Sequence, residues 1–422
     1  MELNFLGGAG EVGRSCFSLT SGETTVYLDC GLKMEPHMQL PFLQNAKRPN
    51  AIILSHSHLD HCGAIPTLYQ HSAPVTYCTT PTLSISNILY DDTIKIASQK
   101  NLPSPFSKAD LTKALQHFSA LGYKNEFTIS KDIKFSFIDA GHIIGSSQIE
   151  LEIEKKKVVY TGDLKLSETR MHKGAEAPTN VDTLIIETTY GEKEQNSRKE
   201  VEDQFVNAVQ DVIDQHKTAL VPCFAVGRTQ EILTLLSEKN FRGNIYIEGM
   251  GERVNEVYYQ YSGYLKNANS FRNALQKTKP ITTKEERRQA LSGGNVVIST
   301  AGMIEGGPIL SYLQLMEKNQ LDGKIFIVGY QAEHTNGRKL LHGQPIDFMT
   351  KTGPKRMKVN LPVKQFEFSA HADQAELIQY VKTANPEKVI CVHGDDTQSF
   401  ANNLKEEGFN ATAPKIGDRI KI

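Results

Sequence analysis

The apolar run Ala51-Ile52-Ile53-Leu54-Ser55 ends in His56-Ser57-His58-Leu59-Asp60-His61. The run reads as a buried strand, and the six residues after it carry four metal-competent side chains. A strand that stops and releases its chain into a short loop aims several side chains at one point. The chain must therefore build its chemistry on the end of a strand. Neutral imidazole and carboxylate suit Zn²⁺, which takes nitrogen near ~2.0–2.1 Å and oxygen near ~2.0–2.2 Å. The spacing offers two pairs, His56 with His58 and Asp60 with His61. Two pairs suggest two metals a few ångströms apart, an arrangement that activates water for in-line attack on phosphorus.

At 422 residues the chain has room for two or three domains with real cores. No apolar run reaches the ~18 residues of a membrane-spanning helix. The opening Met-Glu-Leu-Asn-Phe-Leu-Gly-Gly lacks the basic and apolar regions of a signal peptide. Cys16, Cys30, Cys62, Cys78, Cys223 and Cys391 are scattered without a C-x-x-C pair. That pattern fits a reducing cytoplasm and argues against a disulfide framework or a zinc ribbon. The formal net charge of −1 gives no bulk signal for nucleic acid. Such a partner needs a local basic surface, for which Lys351–Lys364 and Lys277–Arg288 are candidates, or else simply solvated faces.

Up to residue 196 short strand-like runs alternate with turns. From Ser197 to Gly353 amphipathic helices alternate with short buried strands, the βαβ rhythm of a parallel sheet. From Pro354 the first texture returns. Residues 1–196 and 354–422 thus read as one domain, split by an insertion over 197–353.

Four further polar residues end strand-like runs beside small residues: Asp29, His142, Asp163 and His393. Any one of them alone suits a cap or a turn. Together they point to a site assembled on one edge of a sheet. Glu187 ends Thr183-Leu184-Ile185-Ile186, and His371 lies in Phe368-Ser369-Ala370-His371-Ala372-Asp373. A histidine near a carboxylate is held in one tautomer with a raised pKa, which suits a general acid. On the residues alone, these two are equally a turn carboxylate and a surface histidine. Gly8-Ala9-Gly10-Glu11-Val12-Gly13 matches G-x-G-x-x-G, but a dinucleotide fingerprint must open a helix, and Ser15–Leu19 reads as a strand. His334 is expected to pack, or else to line the cleft.

Taken together these motifs resemble the metallo-β-lactamase superfamily and, within it, the β-CASP nucleases. His56–His61 is similar to the H-x-H-x-D-H signature, and Asp29, His142 and Asp163 follow in the order of the other metal motifs. Glu187–Gly191, Phe368–Asp373 and Val392-His393-Gly394 resemble the three β-CASP motifs. Pro222–Glu231 and Ser299–Ile304 resemble further family segments. The likeness covers nearly the whole chain. It points to the branch containing the RNA-cleaving subunit of the cleavage and polyadenylation specificity factor and its shorter prokaryotic homologues.

The resemblance implies an α/β fold: an αββα metallo-β-lactamase sandwich with an inserted parallel α/β β-CASP domain. It implies two Zn²⁺ per chain, one held by His56, His58 and His142, the other by Asp60, His61 and His393, with Asp163 bridging. Asp29 would orient a ligand, and His371, paired with Glu187, would protonate the leaving oxygen. Backbone N–H groups around Ser369, Ala370, Ser299 and Gly302 would cradle phosphates. The implied partner is single-stranded RNA, cut by metal-activated hydroxide to 5′-phosphate and 3′-hydroxyl ends, in endonuclease or 5′-to-3′ exonuclease mode. Homodimers occur in the family. DNA-processing members tend to lack histidine at the place of His393, so its presence leans towards RNA. Longer archaeal relatives carry N-terminal RNA-binding KH domains, whereas this chain opens on the catalytic domain, so sequence preference would come from the cleft or a partner. A small-molecule metallo-hydrolase and a catalytically silent RNA-binding subunit are the competing readings.

Overall fold

The computed structural model describes residues 1–34, 37–239, 241–350 and 353–422. The chain divides into two compact units. Met1–Glu168, His172–Glu194 and Ala370–Ile422 form the first, and Thr169–Met171 with Gln195–Ser369 form the second. Among the described residues no helix is long and apolar enough to cross a membrane.

The first unit holds two seven-stranded sheets. In spatial order one runs Arg419–Lys421, Glu2–Gly7, Cys16–Ser21, Thr24–Leu28, Ala51–Ile53, Val75–Thr79, Phe118–Leu121. The other runs Ala411–Thr412, Lys388–Val392, Thr183–Glu187, Lys156–Tyr160, Ser147–Ile153, Ile133–Asp139, Phe127–Ser130. Side chains alternate across each strand, so every strand feeds two layers. Leu3, Phe5, Leu19, Val26 and Leu28 meet Phe135, Phe137, Leu151, Val158 and Tyr160 between the sheets. Tyr27, Ile52 and Leu54 face the other way, onto Tyr90, Phe106 and Leu111. On the far side Val159, Leu184, Ile186 and Val389 pack on Leu377, Tyr380, Phe400 and Leu404. The result is the αββα order of layers, and each large apolar side chain so buried contributes about 1.5–3 kcal/mol.

Strand direction positions the site. Thr24–Leu28 and Ala51–Ile53 are parallel, as are Lys156–Tyr160, Thr183–Glu187 and Lys388–Val392. Ile133–Asp139 runs the same way, being antiparallel to Ser147–Ile153, which is antiparallel to Lys156–Tyr160. Within each sheet these strands therefore end on one edge.

The Gly8–Gly13 stretch leads into the strand Cys16–Ser21 rather than a helix, which removes the dinucleotide reading. Gly8 has φ +70°, and a Cβ there would lie 2.9 Å from the Ser15 Cα, so the turn requires glycine.

The second unit is built on a six-stranded sheet, in order Thr278–Pro280, Asn244–Glu248, Asn295–Ser299, Thr218–Pro222, Gly323–Ile327, Val363–Gln365. All its pairings are parallel. Its central strands are buried on both faces, which explains their continuous apolar runs. Val221, Ile247 and Ile298 pack on Phe205, Val209 and Leu236, and Leu220, Val297 and Ile325 on Ile309, Tyr312 and Leu313. The insertion expected over 197–353 extends further in the structure. Val363–Gln365 pairs with Gly323–Ile327, and the Phe366 and Phe368 rings lie 5.4 and 5.3 Å from Phe205. An edge strand and two aromatic anchors beyond Pro354 thus join the second core, and the division falls after Ser369.

Candidate metal centre

The backbone leaves each strand end in a turn that brings a polar side chain to the edge. Asp29 and His393 both take left-handed conformations, φ +60° and +49°. Such values cost non-glycine residues roughly 1–2 kcal/mol and persist only where surrounding structure fixes them. Here the Asp29 N–H donates to the Ile53 carbonyl at 3.1 Å and the His393 N–H to the Gly8 carbonyl at 2.7 Å.

Two donor sets result. His56, His58, His142 and Asp163 form one, and Asp60, His61 and His393 the other, with the ligand atoms of each set within 4.8 Å of one another. In the first set His58 Nδ1 lies 3.2 Å from His56 Nε2 and 3.1 Å from His142 Nε2. Asp163 Oδ2 lies 3.4 Å from His56 Nε2 and 3.6 Å from His142 Nε2. In the second, Asp60 Oδ2 is 3.3 Å from His393 Nε2 and 3.8 Å from His61 Nε2. Asp163 Oδ1 is 3.2 Å from His61 Nε2. Asp163 thus presents one oxygen to each set.

These separations test the fit of a metal. A tetrahedron with zinc–ligand distances of ~2.0–2.1 Å has edges of about 3.3–3.4 Å, close to the spacings found. Buried His61 Nε2 and Asp163 Oδ1 approach each other to 3.2 Å but make no well-formed hydrogen bond there or elsewhere, which is costly unless a cation takes them. Burial, with neighbouring histidines, drives His56 down, His142 well down and His58 to about 3, favouring in these three the neutral imidazole that ligates metal. At His61 burial is outweighed by Asp163, Asp60 and Asp29, which hold it well above its usual range. Burial opposes ionisation of Asp163, but the histidines around it, His61 and His393 foremost, hold it well below the usual carboxylate range. The donor sets fit metal binding through nitrogen and oxygen ligands.

The rear nitrogens are also held, which fixes which face of each ring turns inward. His61 Nδ1 lies 2.7 Å from Asp29 Oδ2, His142 Nδ1 2.8 Å from the Ala370 carbonyl, and His393 Nδ1 3.1 Å from Thr189 Oγ1. Asp29 is fully buried. It also accepts from the Ser55 N–H, the Ser55 hydroxyl and the Tyr160 hydroxyl, each at 2.7 Å.

His371 and Glu187 meet, with Nδ1 3.0 Å from Oε1. Glu187 is fixed by the Leu164 and Thr189 N–H groups at 2.8 and 3.1 Å. His371 Nε2 lies 4.0 Å from Asp163 Oδ2. Burial lowers the His371 pKa, but Glu187 and Asp163 outweigh it and raise it to about 9. Glu187 is occupied by this ring and by backbone donors, and the two residues form with Asp163 a third cluster of donor atoms within 4.8 Å of one another.

Of the residues expected to touch substrate, Ala370 reaches the centre through its carbonyl. Ser369, Ser299 and Gly302 belong to the second unit. There the Ser369 carbonyl accepts from Arg198 at 3.1 Å, Ser299 ends its strand, and the Gly302 carbonyl accepts from Gln331 at 3.0 Å. His334 does not pack. It is exposed, because its left-handed φ of +68° turns the chain just before Thr335 caps the helix Asn336–Leu341. Lys351 lies outside the described residues. In the other basic stretch, Arg287 and Arg288 pair with Glu248 and Glu285.

Sequence reasoning missed Ser55, Tyr160, Thr189, Lys165 and Glu376. Lys165 Nζ donates to the His371 carbonyl at 3.1 Å and to Glu376 Oε2 at 2.9 Å. The only available signal was the Asp373-x-x-Glu376 capping box.

Comparison with known proteins places this geometry. The metallo-beta-lactamase superfamily domain matches residues 18–187, the Beta-Casp domain 229–340, and the Zn-dependent metallo-hydrolase RNA specificity domain 356–414. Probable RNase MJ4 of Methanocaldococcus jannaschii is 37% identical, covering 100% of both chains.

The chain belongs to the β-CASP group of the metallo-β-lactamase superfamily.

Other relatives of this β-CASP protein include RNase aCSPSF2 of Saccharolobus solfataricus, 33% identical over 100% of this chain and 85% of its own. Transcription termination factor FttA of M. jannaschii is 34% identical over 96% of this chain and 69% of its own. A solved structure, a protein of unknown function from Enterococcus faecalis V583, shares the fold with a TM-score of 0.64. It is 13% identical and covers 100% of this chain and 99% of its own.

Proposed function

We propose that the protein is a zinc-dependent ribonuclease that hydrolyses phosphodiester bonds within single-stranded RNA, leaving 5′-phosphate and 3′-hydroxyl ends. The observation that carries this reading is a carboxylate, Asp163, placed between two donor sets beside the His371–Glu187 pair. Relatives named as RNases and the match to an RNA specificity domain support it.

His56 Nε2, His58 Nδ1 and His142 Nε2 would hold one Zn²⁺; Asp60, His61 Nε2 and His393 would hold the second, and Asp163 would serve both. When bound, such ions lower the pKa of water from ~15.7 to about 7 and offset charge on phosphoryl oxygens. Asp29 keeps the proton of His61 on Nδ1, so that Nε2 stays a lone-pair donor. Glu187 holds His371 by Nδ1, which leaves Nε2–H on the side of Asp163. As the ester bond breaks, His371 passes that Nε2 proton to the departing 3′-oxygen.

The test is cleavage of end-labelled single-stranded RNA by metal-loaded protein. The expected products are internal fragments with 5′-phosphates, lost on chelation and restored by zinc. His371→Ala is expected to slow cleavage about 10²–10⁴-fold at unchanged zinc content. Intact RNA in the presence of full metal overturns the proposal. Turnover of a thioester or lactone would then assign a small-molecule hydrolase, and RNA binding alone a silent subunit.

A further inference from the structure

The connection between the strands Thr24–Leu28 and Ala51–Ile53 exposes four large apolar side chains: Met34 (42%), Met38 (39%), Leu40 (39%) and Phe42 (58%). Both strands feed the metal centre, and a connection of this kind is ordinarily polar unless it binds something. Phe42 is firmly seated. Its N–H donates to the Leu6 carbonyl at 2.8 Å. Arg14 lies with its guanidinium carbon 5.1 Å from the ring centre, and its Nη1 donates to the Leu40 carbonyl at 3.1 Å.

This lip is tied to the metal motifs through backbone. The Ser15 N–H, one residue from Arg14, donates to the Asp60 carbonyl at 2.8 Å. At the root of the connection, Cys30 N–H donates to the His61 carbonyl and Leu32 N–H to the Leu59 carbonyl, both at 2.8 Å. The charge is also suggestive. Glu11 accepts from Arg14 Nε at 2.6 Å and from Lys33 Nζ at 2.9 Å, so one carboxylate is shared by two cations, and residues 30–50 carry Lys33, Lys47 and Arg48 against Glu35. The chain as a whole carries −1.

We infer that Phe42, backed by Arg14, is a stacking platform for one base of single-stranded RNA, with Lys33 and Arg14 facing the adjoining phosphates. The inference rests on the ribonuclease reading and extends it to a substrate contact. Single strands are bound without sequence preference where an aromatic ring takes a base and nearby cations take the backbone, and a guanidinium over the same ring adds to the stack. A protein partner or a second copy of the chain would use the apolar side chains but would have no need of the two cations that share Glu11 beside the ring.

The chain contains no tryptophan, so Phe42→Trp places the one tryptophan, excited selectively beyond the tyrosine band, on the platform. The probe is 2′-O-methylated single-stranded RNA titrated into the zinc-loaded variant, beside an abasic strand of equal length. The expected result is saturable quenching by the base-bearing strand, weakened by salt, and little quenching by the abasic one. Phe42→Ala is expected to weaken binding of the base-bearing strand about five- to a hundred-fold, with less effect on the abasic strand. RNA cleaved with unchanged KM by Phe42→Ala, and no quenching in Phe42→Trp, overturns the platform and leaves the ribonuclease reading standing. Quenching that instead tracks protein concentration and self-association without RNA overturns it in favour of a contact between copies. Absence of both RNA binding and RNA cleavage in the unaltered protein removes the ribonuclease reading and this inference with it.

Discussion

Asp29→Asn tests how this protein would keep the proposed zinc ligand His61 in the right protonation state. The carboxylate accepts four hydrogen bonds in a site closed to solvent: His61 Nδ1–H, the Ser55 and Tyr160 hydroxyls on Oδ2, and the Ser55 N–H on Oδ1. An amide of the same shape has one acceptor and one donor. The Ser55 N–H cannot accept, so the amide oxygen must take the Oδ1 position. The NH₂ then faces Ser55, Tyr160 and His61. Its two hydrogens can serve only two of these three groups, and where His61 is one of them it accepts at Nδ1 only by moving its proton to Nε2. That proton blocks the atom that faces Asp163 at 3.2 Å. Loss of a ligand's orienting partner costs about 10–100-fold in metal affinity, or about 1.4–2.7 kcal/mol. The metal-free fold should lose only about 1–3 kcal/mol, the cost of imperfectly met buried donors. The assays are zinc competition against a chelator, urea unfolding of the metal-free chain, and ¹⁵N spectra of the His61 ring. A variant that keeps its zinc affinity, with His61 still protonated at Nδ1, would refute the reasoning.

Lys165→Met removes the ties to the His371 carbonyl and to Glu376. Because a misplacement near 1 Å costs on the order of 10² in rate, kcat in single-turnover cleavage should fall roughly 10–100-fold, with zinc content unchanged and partial rescue by Lys165→Arg. Glu376 is partly buried, which raises its pKa, yet Lys165 and the Ser167 N–H outweigh that and lower it. A depressed carboxyl contributes stability above its unfolded pKa of about 4.3, lost as pH falls through the lower folded value. Glu376→Gln should therefore cost about 1.5–3 kcal/mol near neutrality and converge with the parent in acid urea titrations. Phe205 sits among Phe326, Phe366 and Phe368, so Phe205→Ala should destabilise the second unit by about 3–5 kcal/mol, read by urea unfolding.

The parts legible in the sequence were those with a strong local signature. Strands such as Ala51–Ile53, Lys156–Tyr160 and Lys388–Val392 are buried and apolar, and each ends in a polar residue beside glycine or in a polar cluster, so both strand and site residue could be read. The sheet edges were not legible. Phe118–Leu121, Phe127–Ser130, Ala411–Thr412, Arg419–Lys421 and Thr278–Pro280 all lie at an edge of their sheet. An edge strand buries little, so it carries neither an apolar run nor clean alternation. The boundary of the insertion was displaced for a related reason: a strand is legible at Gln365–Phe368, but Val363–Gln365, with only Val363 half-buried, gives no sign of which sheet it joins. His334 was misread because a left-handed turn, rather than hydrophobic pattern, decides where its side chain points. Tyr160, Ser55 and Lys165 went unnoticed for a different reason. They act on ligands rather than as ligands, and Tyr160 reaches Asp29 across 131 positions of sequence.

Asp163 is proposed to lie between two metal positions rather than beside one. Zinc counted by mass spectrometry in the purified chain, and in Asp60→Asn combined with His393→Ala, tests it directly. The account predicts two zinc ions per chain, falling to one in the double variant because His56, His58, His142 and Asp163 remain. A single zinc in the parent, or an unchanged count in the variant, would contradict it.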